Sequence, residues 1–342
     1  MCNRAVQEII FHSTNISVSI EISKIETVFI FFNPIHLYLE KRNMMKDTVI
    51  SGVSNDNTTK GWINGFIGVL LFSGSLPATK VAVMDLSPYF VTAARASIAG
   101  VIALLVLLIF KEKRPSKQQI VPIMLVSFGG VVGFPLLSAM ALQYFTSAHS
   151  IVFIGLLPLA TAIFGIFRGG EKAPKPLFWV FSILGSLLVV GYAVAQGISV
   201  APVGDLLMIL AIILCALSYA EGAKLSKDLG GWQVISWALV IALPITAPLT
   251  FFLLPESIGT VSISAWVGVA YVALFSMFIG FIFWYKGLAQ GGIAAVGQLQ
   301  QLQPFFALAL ASTLLHEKVS IGMIAVTLGV ILCVLGAKKY AK

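Results

Sequence analysis

The chain has 342 residues and a formal net charge of +8, and 58% of its residues are hydrophobic while only 11% are charged. Soluble domains carry about 25% charged residues, so this composition argues against a water-soluble protein. Between Trp62 and Ala337 the apolar residues come in runs of about 20, the length at which a helix crosses a bilayer. These runs leave no room for a soluble catalytic domain.

Residues 1–60 precede the first run and form a mixed polar tail. Its one apolar segment, which starts at Thr27, is too short to span a membrane, and the pattern of a secretory signal is absent. We expect a poorly ordered tail without a role in transport. One hypothesis is that synthesis begins at Met44 or Met45; a peptide containing Phe29–Leu39 in the mass spectrum of the purified protein would refute it.

Ten transmembrane helices are predicted from the runs that follow. The runs are continuously apolar and do not alternate with period two, which favours helices over barrel strands. We therefore predict an all-α integral membrane fold. The predicted helices are Trp62–Met84, Tyr89–Phe110, Gln119–Gln143, Ser147–Phe167, Pro176–Gln196, Gly204–Lys224, Trp232–Leu254, Ala265–Leu288, Gly292–Leu315 and Ser320–Ala337.

The distribution of positive charge predicts the orientation. If the first helix runs from inside to outside, the inner side holds twelve lysines and arginines, against Lys318 alone outside. Eleven of the twelve lie in the inner connections and the carboxyl-terminal tail, and Lys286 lies at the inner end of the eighth helix. This bias places both termini in the cytoplasm. The same bias accounts for the net positive charge of the chain, so we expect no nucleic acid as a partner. The expected partners are the lipid bilayer and a small-molecule substrate, and we expect a monomer or a homodimer.

The fourth and ninth helices share a motif. The spacing from Pro158 to Glu171 recurs from Pro304 to Glu317, 146 positions later. The offset predicts two repeats of five helices, residues 61–197 and 198–342. Because five is odd, the second copy enters the membrane from the opposite side, which gives inverted repeats. Secondary transporters that work by alternating access use this architecture.

Several motifs between Gly61 and Lys339 resemble those of one group of membrane carriers. They are Phe-Ser-Gly-Ser-Leu-Pro-Ala-Thr-Lys ending at Lys80, Arg95 within Ala-Ala-Arg-Ala-Ser-Ile-Ala-Gly, Ala-Leu-Gln-Tyr-Phe-Thr-Ser-Ala between the third and fourth helices, and the two Pro-to-Glu units. In these motifs the chain resembles the EamA-type ten-helix branch of the drug/metabolite transporter superfamily. The resemblance implies a basket of helices around a central cavity, with the fifth and tenth helices set apart from the substrate path. It also implies export of amino acids, other metabolites or drugs across a bacterial inner membrane.

Arg95 is the deepest charge in the predicted spans, about four residues or roughly 6 Å from the centre of its helix. Its planar guanidinium group is suited to bind a carboxylate or phosphate of a substrate. The alternative is a structural role, in which Arg95 bonds carbonyls at a neighbouring kink or reaches the interface past Ser87.

Glu221 is the one carboxylate inside a predicted span and away from its first turn. Buried carboxylates can load and release protons, so Glu221 is the candidate for proton coupling. The alternative is an ordinary ion pair with Lys224, three residues later on the same helix face.

The ninth helix carries four glutamines, at positions 298, 300, 301 and 303. Gln298 and Gln301 share a face, and buried amides require hydrogen-bond partners. We expect these two to line a cavity together with Tyr219 and Trp284, which would suit a polar uncharged or zwitterionic substrate. Hydrogen bonding between helices is the alternative.

Pro77, Pro158 and Pro304 each remove a backbone donor within a span, so we expect kinks there. We predict no metal, no cofactor and no enzymatic activity, because the sequence shows no zinc-spaced cluster, nucleophile elbow or phosphate loop. The expected function is secondary transport, with proton antiport as one mode. The alternatives are an uncoupled facilitator, a multidrug exporter and, remotely, an intramembrane enzyme.

Overall fold

The computed structural model describes residues 57–144, 150, 153–195, 201–307, 309 and 321–341. These residues fall within one compact unit, Asn57–Lys342. The predicted tail up to Asp56, the hypothesis of a start at Met44 or Met45, and Glu317 lie outside the described residues.

Helices form the fold, and the described part of the chain contains no strand. We number the helices in chain order: α1 Asn57–Asp85, α2 Pro88–Ile109, α3 Lys117–Ala141, α4 Leu157–Phe167, α5 Pro176–Ala195, α6 Pro202–Ser226, α7 Gly231–Phe252, α8 Ile263–Gly291, α9 Ile293–Gly297 with the 3₁₀ turn Gln298–Leu302, and α10 Ile321–Tyr340.

Six of these helices have the length and composition to cross a membrane, namely α1, α2, α3, α6, α7 and α8. The predicted class, an all-α membrane protein, is therefore confirmed, while the count of ten spans stays a prediction. The shorter helices α4 and α5 are apolar as well. The predicted first helix was too short, because the helix already begins at Asn57 and includes the polar residues up to Lys60.

Two ends of the helical bundle are identified by contacts between helices. At the Asp85 end, where α1 stops and α8 starts, the backbone N–H of Ser262 donates to Asp85 Oδ2 at 2.9 Å. At the opposite end α1 starts and α8 stops, and Asn64 Nδ2 donates to Gln290 Oε1 at 2.9 Å. We name it the Glu171 end, because Glu171 bonds the backbone just after α8. Helices α1 and α8 therefore run antiparallel, and each end contains residues from both halves of the chain.

Glycines bring α1 and α8 into backbone contact. A Cβ atom added at Gly287 would lie 2.5 Å from the backbone nitrogen of Gly65 and 2.8 Å from its Cα. Real Cβ atoms do not approach backbone so closely, so a side chain at Gly287 would push the helices apart. Gly287 and Gly291 are spaced by about one helical turn, a pattern typical of closely packed membrane helices, and the structure shows this packing at Gly287.

Two membrane helices contain π-helical segments at equivalent positions. Ser127–Gly133 is π-helical within α3, and Val272–Gly280 is π-helical within α8. The repeat offset of 146 carries the first segment onto the second. Such segments are rare and frequently mark functional sites. The backbone therefore shows the repeat in a feature that the sequence motifs do not reveal.

Candidate functional site

Residues from both halves of the chain enclose a small central cavity of about 20 Å³. This volume holds about one water molecule. Helices α1, α2, α3, α4, α6 and α8 contribute to its wall, together with a residue that follows α9. The lining residues are Phe72, Ser75, Leu76, Arg95, Gly130, Phe134, Pro135, Ile154, Leu157, Tyr219, Ser276, Phe281 and Gln303.

Much of this lining consists of repeat-equivalent pairs. Three pairs are separated by 146 positions, the offset of the Pro-to-Glu motif. A fourth is separated by 144, the offset at which Ala-Thr-Lys ending at Lys80 recurs as Gly-Ala-Lys ending at Lys224. The cavity therefore lies between the two repeats, and equivalent residues of each repeat line it. The pairs are Gly130 with Ser276, Pro135 with Phe281, Leu157 with Gln303, and Ser75 with Tyr219.

Arg95 is the charged residue of this lining, and its side chain is 4% exposed. Its Nη2 donates to Ser276 Oγ at 3.1 Å, and that hydroxyl donates to Ser75 Oγ at 2.9 Å. The chain of bonds joins α2, α8 and α1. Arg95 Nε has no hydrogen-bond partner among the described residues. A buried donor without a partner is unfavourable, so this nitrogen is available to a ligand.

Tyr219 adds a hydroxyl and an aromatic face to the cavity. Its oxygen accepts a hydrogen bond from Gln300 Nε2 at 3.2 Å. Trp284 packs against the Tyr219 ring, with 5.4 Å between ring centroids, and is fully buried. Trp284 is not part of the lining, so it supports the wall from behind.

Gln298 and Gln301 face α5 and do not line the central cavity. Ser182 Oγ donates to Gln298 Oε1 at 2.8 Å, and Gln301 Nε2 donates to the backbone oxygen of Ser182 at 3.2 Å. Gln301 Nε2 also donates to Gln298 Oε1 at 2.9 Å. The two amides thus join α9 to α5, as in the alternative of hydrogen bonding between helices.

Glu221 is bound from the first half of the chain. Arg168, the residue after α4, donates from Nε to Glu221 Oε1 at 2.5 Å. The expected partner Lys224 is exposed, and no ion pair between it and Glu221 is present. The structure thus shows an ion pair of Glu221, as in the alternative, but with a partner from another helix, because spacing along α6 carries no information about α4.

Each of the three prolines lies just after a break in its helix. Pro77 follows a turn at Gly74, Pro158 follows a turn at residues 155–156, and Pro304 follows the 3₁₀ turn Gln298–Leu302. A proline near the start of a helical segment loses no hydrogen bond, because its N–H would have no partner there anyway. The breaks at Pro158 and Pro304 are again 146 positions apart.

Sequence reasoning missed Ser75, Ser276 and Gln303 as parts of the cavity. The repeat offset relates two of them to residues of the first half, because it pairs Ser276 with Gly130 and Gln303 with Leu157, the residue before Pro158. Ser75 is found by the shorter offset from Tyr219. Of the five residues predicted to bind substrate, Arg95 and Tyr219 line the cavity.

Comparison with known proteins decides the family. The profile of the EamA-like transporter family matches residues 59–191 and again residues 202–337. The chain belongs to the EamA-like transporter family. Two matches in one chain also give the two-repeat architecture, and they place the protein in the drug/metabolite transporter superfamily that its motifs resemble.

Two proteins with similar sequences are named as transporters. The chain is 61% identical over 287 residues to "Uncharacterized transporter YdeK" of Bacillus subtilis (strain 168), with 84% of this chain and 100% of the relative covered. It is 25% identical to "Uncharacterized transporter YyaM" of the same organism, with 78% and 90% covered. A solved crystal structure at 19% identity superimposes with a TM-score of 0.67, covering 82% of this chain and 96% of that one, which supports the fold.

Proposed function

We propose that this EamA-family protein is a secondary transporter that moves small metabolites across the inner membrane by alternating access around the central cavity. The observation that carries the proposal is the lining, in which equivalent residues of both repeats face one space. In an inverted-repeat carrier the substrate site lies at this interface. Since the cavity holds about one water molecule, a metabolite can bind only after the repeats move apart.

The proposed substrate is an amino acid or a similar small metabolite with a carboxylate. Arg95 supplies a planar donor group with an unused Nε, and Arg–carboxylate pairs are frequently bidentate. Tyr219 and Gln303 supply neutral polar groups for the rest of the molecule. The export direction follows the family resemblance, and the predicted cytoplasmic termini belong to the same proposal.

Proton antiport through Glu221 is a further part of the proposal. The Glu221 side chain is 3% exposed and is neutralised by Arg168 across the repeats. A movement that separates the repeats would remove this partner. A buried carboxylate without a partner is costly, and taking up a proton removes that cost. In the alternative, an uncoupled facilitator, the pair would stay closed throughout transport.

A multidrug exporter is the second candidate function. An apolar groove of about 490 Å³ lies between α2, α3 and α7, with Thr92, Ser127 and Thr246 among its lining residues. The hydroxyl oxygens of Thr92 and Thr246 have no hydrogen-bond partner among the described residues. A groove of this chemistry would suit an apolar compound with one polar group.

Uptake into proteoliposomes tests the proposal. The purified protein is screened with amino acids, nucleosides and cationic drugs, and Arg95→Gln and Arg95→Lys are compared with the exposed control Arg114→Gln. We expect carboxylate substrates to be transported, with KM raised about tenfold or more in Arg95→Gln and less in Arg95→Lys. Transport of cationic drugs alone, or wild-type kinetics in Arg95→Gln, would contradict the proposed substrate.

A further inference from the structure

A second and larger cavity opens at the Glu171 end, and we name it the lysine cleft. Its volume is about 600 Å³, and it shares no lining residue with the central cavity. The start of α1, the segment after α4, the residue after α6, the junction of α8 and α9 and the end of α10 form its walls. Its principal lining residues are Thr58, Trp62, Glu171, Lys172, Lys227 and Lys338.

The charge of the cleft is unbalanced. Lys172, Lys227 and Lys338 are exposed, and none of them forms an ion pair with another residue in the described ranges. The carboxylate in the lining, that of Glu171, is engaged by backbone: Ile293 N donates to Oε1 at 2.6 Å and Ala294 N donates to Oε2 at 2.9 Å. Three ammonium groups therefore surround a space whose one carboxylate already holds other donors.

An aromatic residue fixes one of these lysines in place. Lys338 Nζ lies 4.5 Å from the centroid of the Trp62 ring, a cation–π contact between the end of α10 and the start of α1. Tryptophan at the end of a membrane helix is typical of the level of lipid headgroups. The contact therefore holds a positive charge at the depth where lipid phosphates lie.

The wall of the cleft continues into an apolar face of α1. Thr58 and Trp62 line the cleft, and Phe66 and Leu70 follow at intervals of four residues on the same side of the helix. Phe66 is 42% exposed and Leu70 is 51% exposed. From Trp62 to Leu70 this face runs about 12 Å down the helix, towards the hydrocarbon region.

We propose that the lysine cleft binds the phosphate-bearing headgroup of an anionic phospholipid, whose acyl chain lies along Phe66 and Leu70 of α1. The three lysines are opposite in charge to the phosphate of the headgroup, and basic pockets between membrane helices bind such headgroups. A free phosphate ion would use the same lysines but would gain nothing from the exposed apolar face. The continuity between the two surfaces therefore favours the lipid.

Lysine labelling in vesicles tests this proposal without measuring transport. The full-length protein is reconstituted into phosphatidylcholine vesicles, with or without phosphatidylglycerol, and treated with an amine-reactive reagent. We expect phosphatidylglycerol to slow the labelling of Lys172, Lys227 and Lys338 about fivefold more than that of the exposed Lys113 and Lys117. Inorganic phosphate added to phosphatidylcholine vesicles should not reproduce this protection. Equal slowing at all five lysines, or full protection by phosphate, would overturn the proposal.

A pair of charge-matched variants gives a second measurement. The triple variant Lys172→Gln, Lys227→Gln, Lys338→Gln and the control Lys111→Gln, Lys113→Gln, Lys117→Gln lose the same charge. Native mass spectrometry of protein extracted from phosphatidylglycerol-containing vesicles counts the lipids retained. We expect the cleft variant to lose one retained phosphatidylglycerol and the control to keep it. Equal retention in both triple variants would overturn the assignment of the cleft.

Discussion

Arg168 and Glu221 form an ion pair that joins the two repeats, with 2.5 Å between Arg168 Nε and Glu221 Oε1. The arginine side chain is 49% exposed, whereas the glutamate side chain is 3% exposed. The two partners are therefore unequal, because the arginine can be solvated without the pair and the glutamate cannot. Removing the arginine should therefore affect stability differently from removing the glutamate.

Removing the arginine should destabilise the protein more than removing both charges. In Arg168→Gln the buried carboxyl group of Glu221 loses its hydrogen-bonding partner, at a cost of about 1–3 kcal/mol. The double variant Arg168→Gln, Glu221→Gln should recover part of that loss. Thermal unfolding of the purified protein measures both effects, with Arg114→Gln as the exposed control. A double variant less stable than Arg168→Gln would contradict this account of the pair.

Glu221→Gln should remove the response of transport to a pH gradient. A glutamine side chain cannot take up a proton in this pH range, so an antiporter coupled at this position would lose its driving force. Uptake is measured in proteoliposomes with and without an imposed gradient, and the exposed Glu256→Gln serves as control. Unchanged gradient dependence in Glu221→Gln would eliminate this residue as the coupling site.

The bond between α5 and α9 should contribute to stability. Gln298→Leu and Ser182→Ala each break the hydrogen bond from Ser182 Oγ to Gln298 Oε1. Each change should cost about 0.5–2 kcal/mol, and the double variant should cost less than the sum. Unfolding temperatures of the three variants give the coupling. If Gln298→Leu instead raises KM while leaving stability intact, the amide has the cavity role that the sequence predicted.

A methyl group at Gly287 should destabilise the contact between α1 and α8. Gly287→Ala places a Cβ atom against the backbone of Gly65, and overpacking of this kind costs about 1–3 kcal/mol. Gly191 in α5 provides the matched control, since an added Cβ there meets no atom within 4 Å. Gly191→Ala should be neutral or slightly stabilising, because alanine favours helices. Similar unfolding temperatures for the two variants would contradict the close approach.

Features set by local composition could be predicted from the sequence. The six long helices follow from apolar runs of sufficient length, and the contact at Gly287 follows from glycines spaced by one helical turn. Arg95 could be singled out because a charge deep in an apolar run needs a partner inside the protein. The structure gives it Ser276, a residue of the other repeat.

Features that depend on packing between distant segments could not be predicted. Arg168 lies 53 positions from Glu221, so spacing within α6 indicated Lys224 instead. Likewise, the periodicity of α9 shows that Gln298 and Gln301 share a face, but not that this face meets α5 and leaves the cavity to Gln303. The side of a helix that faces a neighbour is set by the whole bundle.

In the matching π-helical segments of α3 and α8, each hydrogen bond spans one residue more than in an α-helix. When a π turn relaxes to an α turn, the residues beyond it rotate by about 100° and advance by about 1.5 Å, while the rest of the helix keeps its hydrogen bonds. Such a conversion in α8 would swing the Ser276 hydroxyl away from Arg95 and release the guanidinium group. A small local change from π-helix to α-helix would thereby open the central cavity to substrate, and the span would stay folded inside the bilayer.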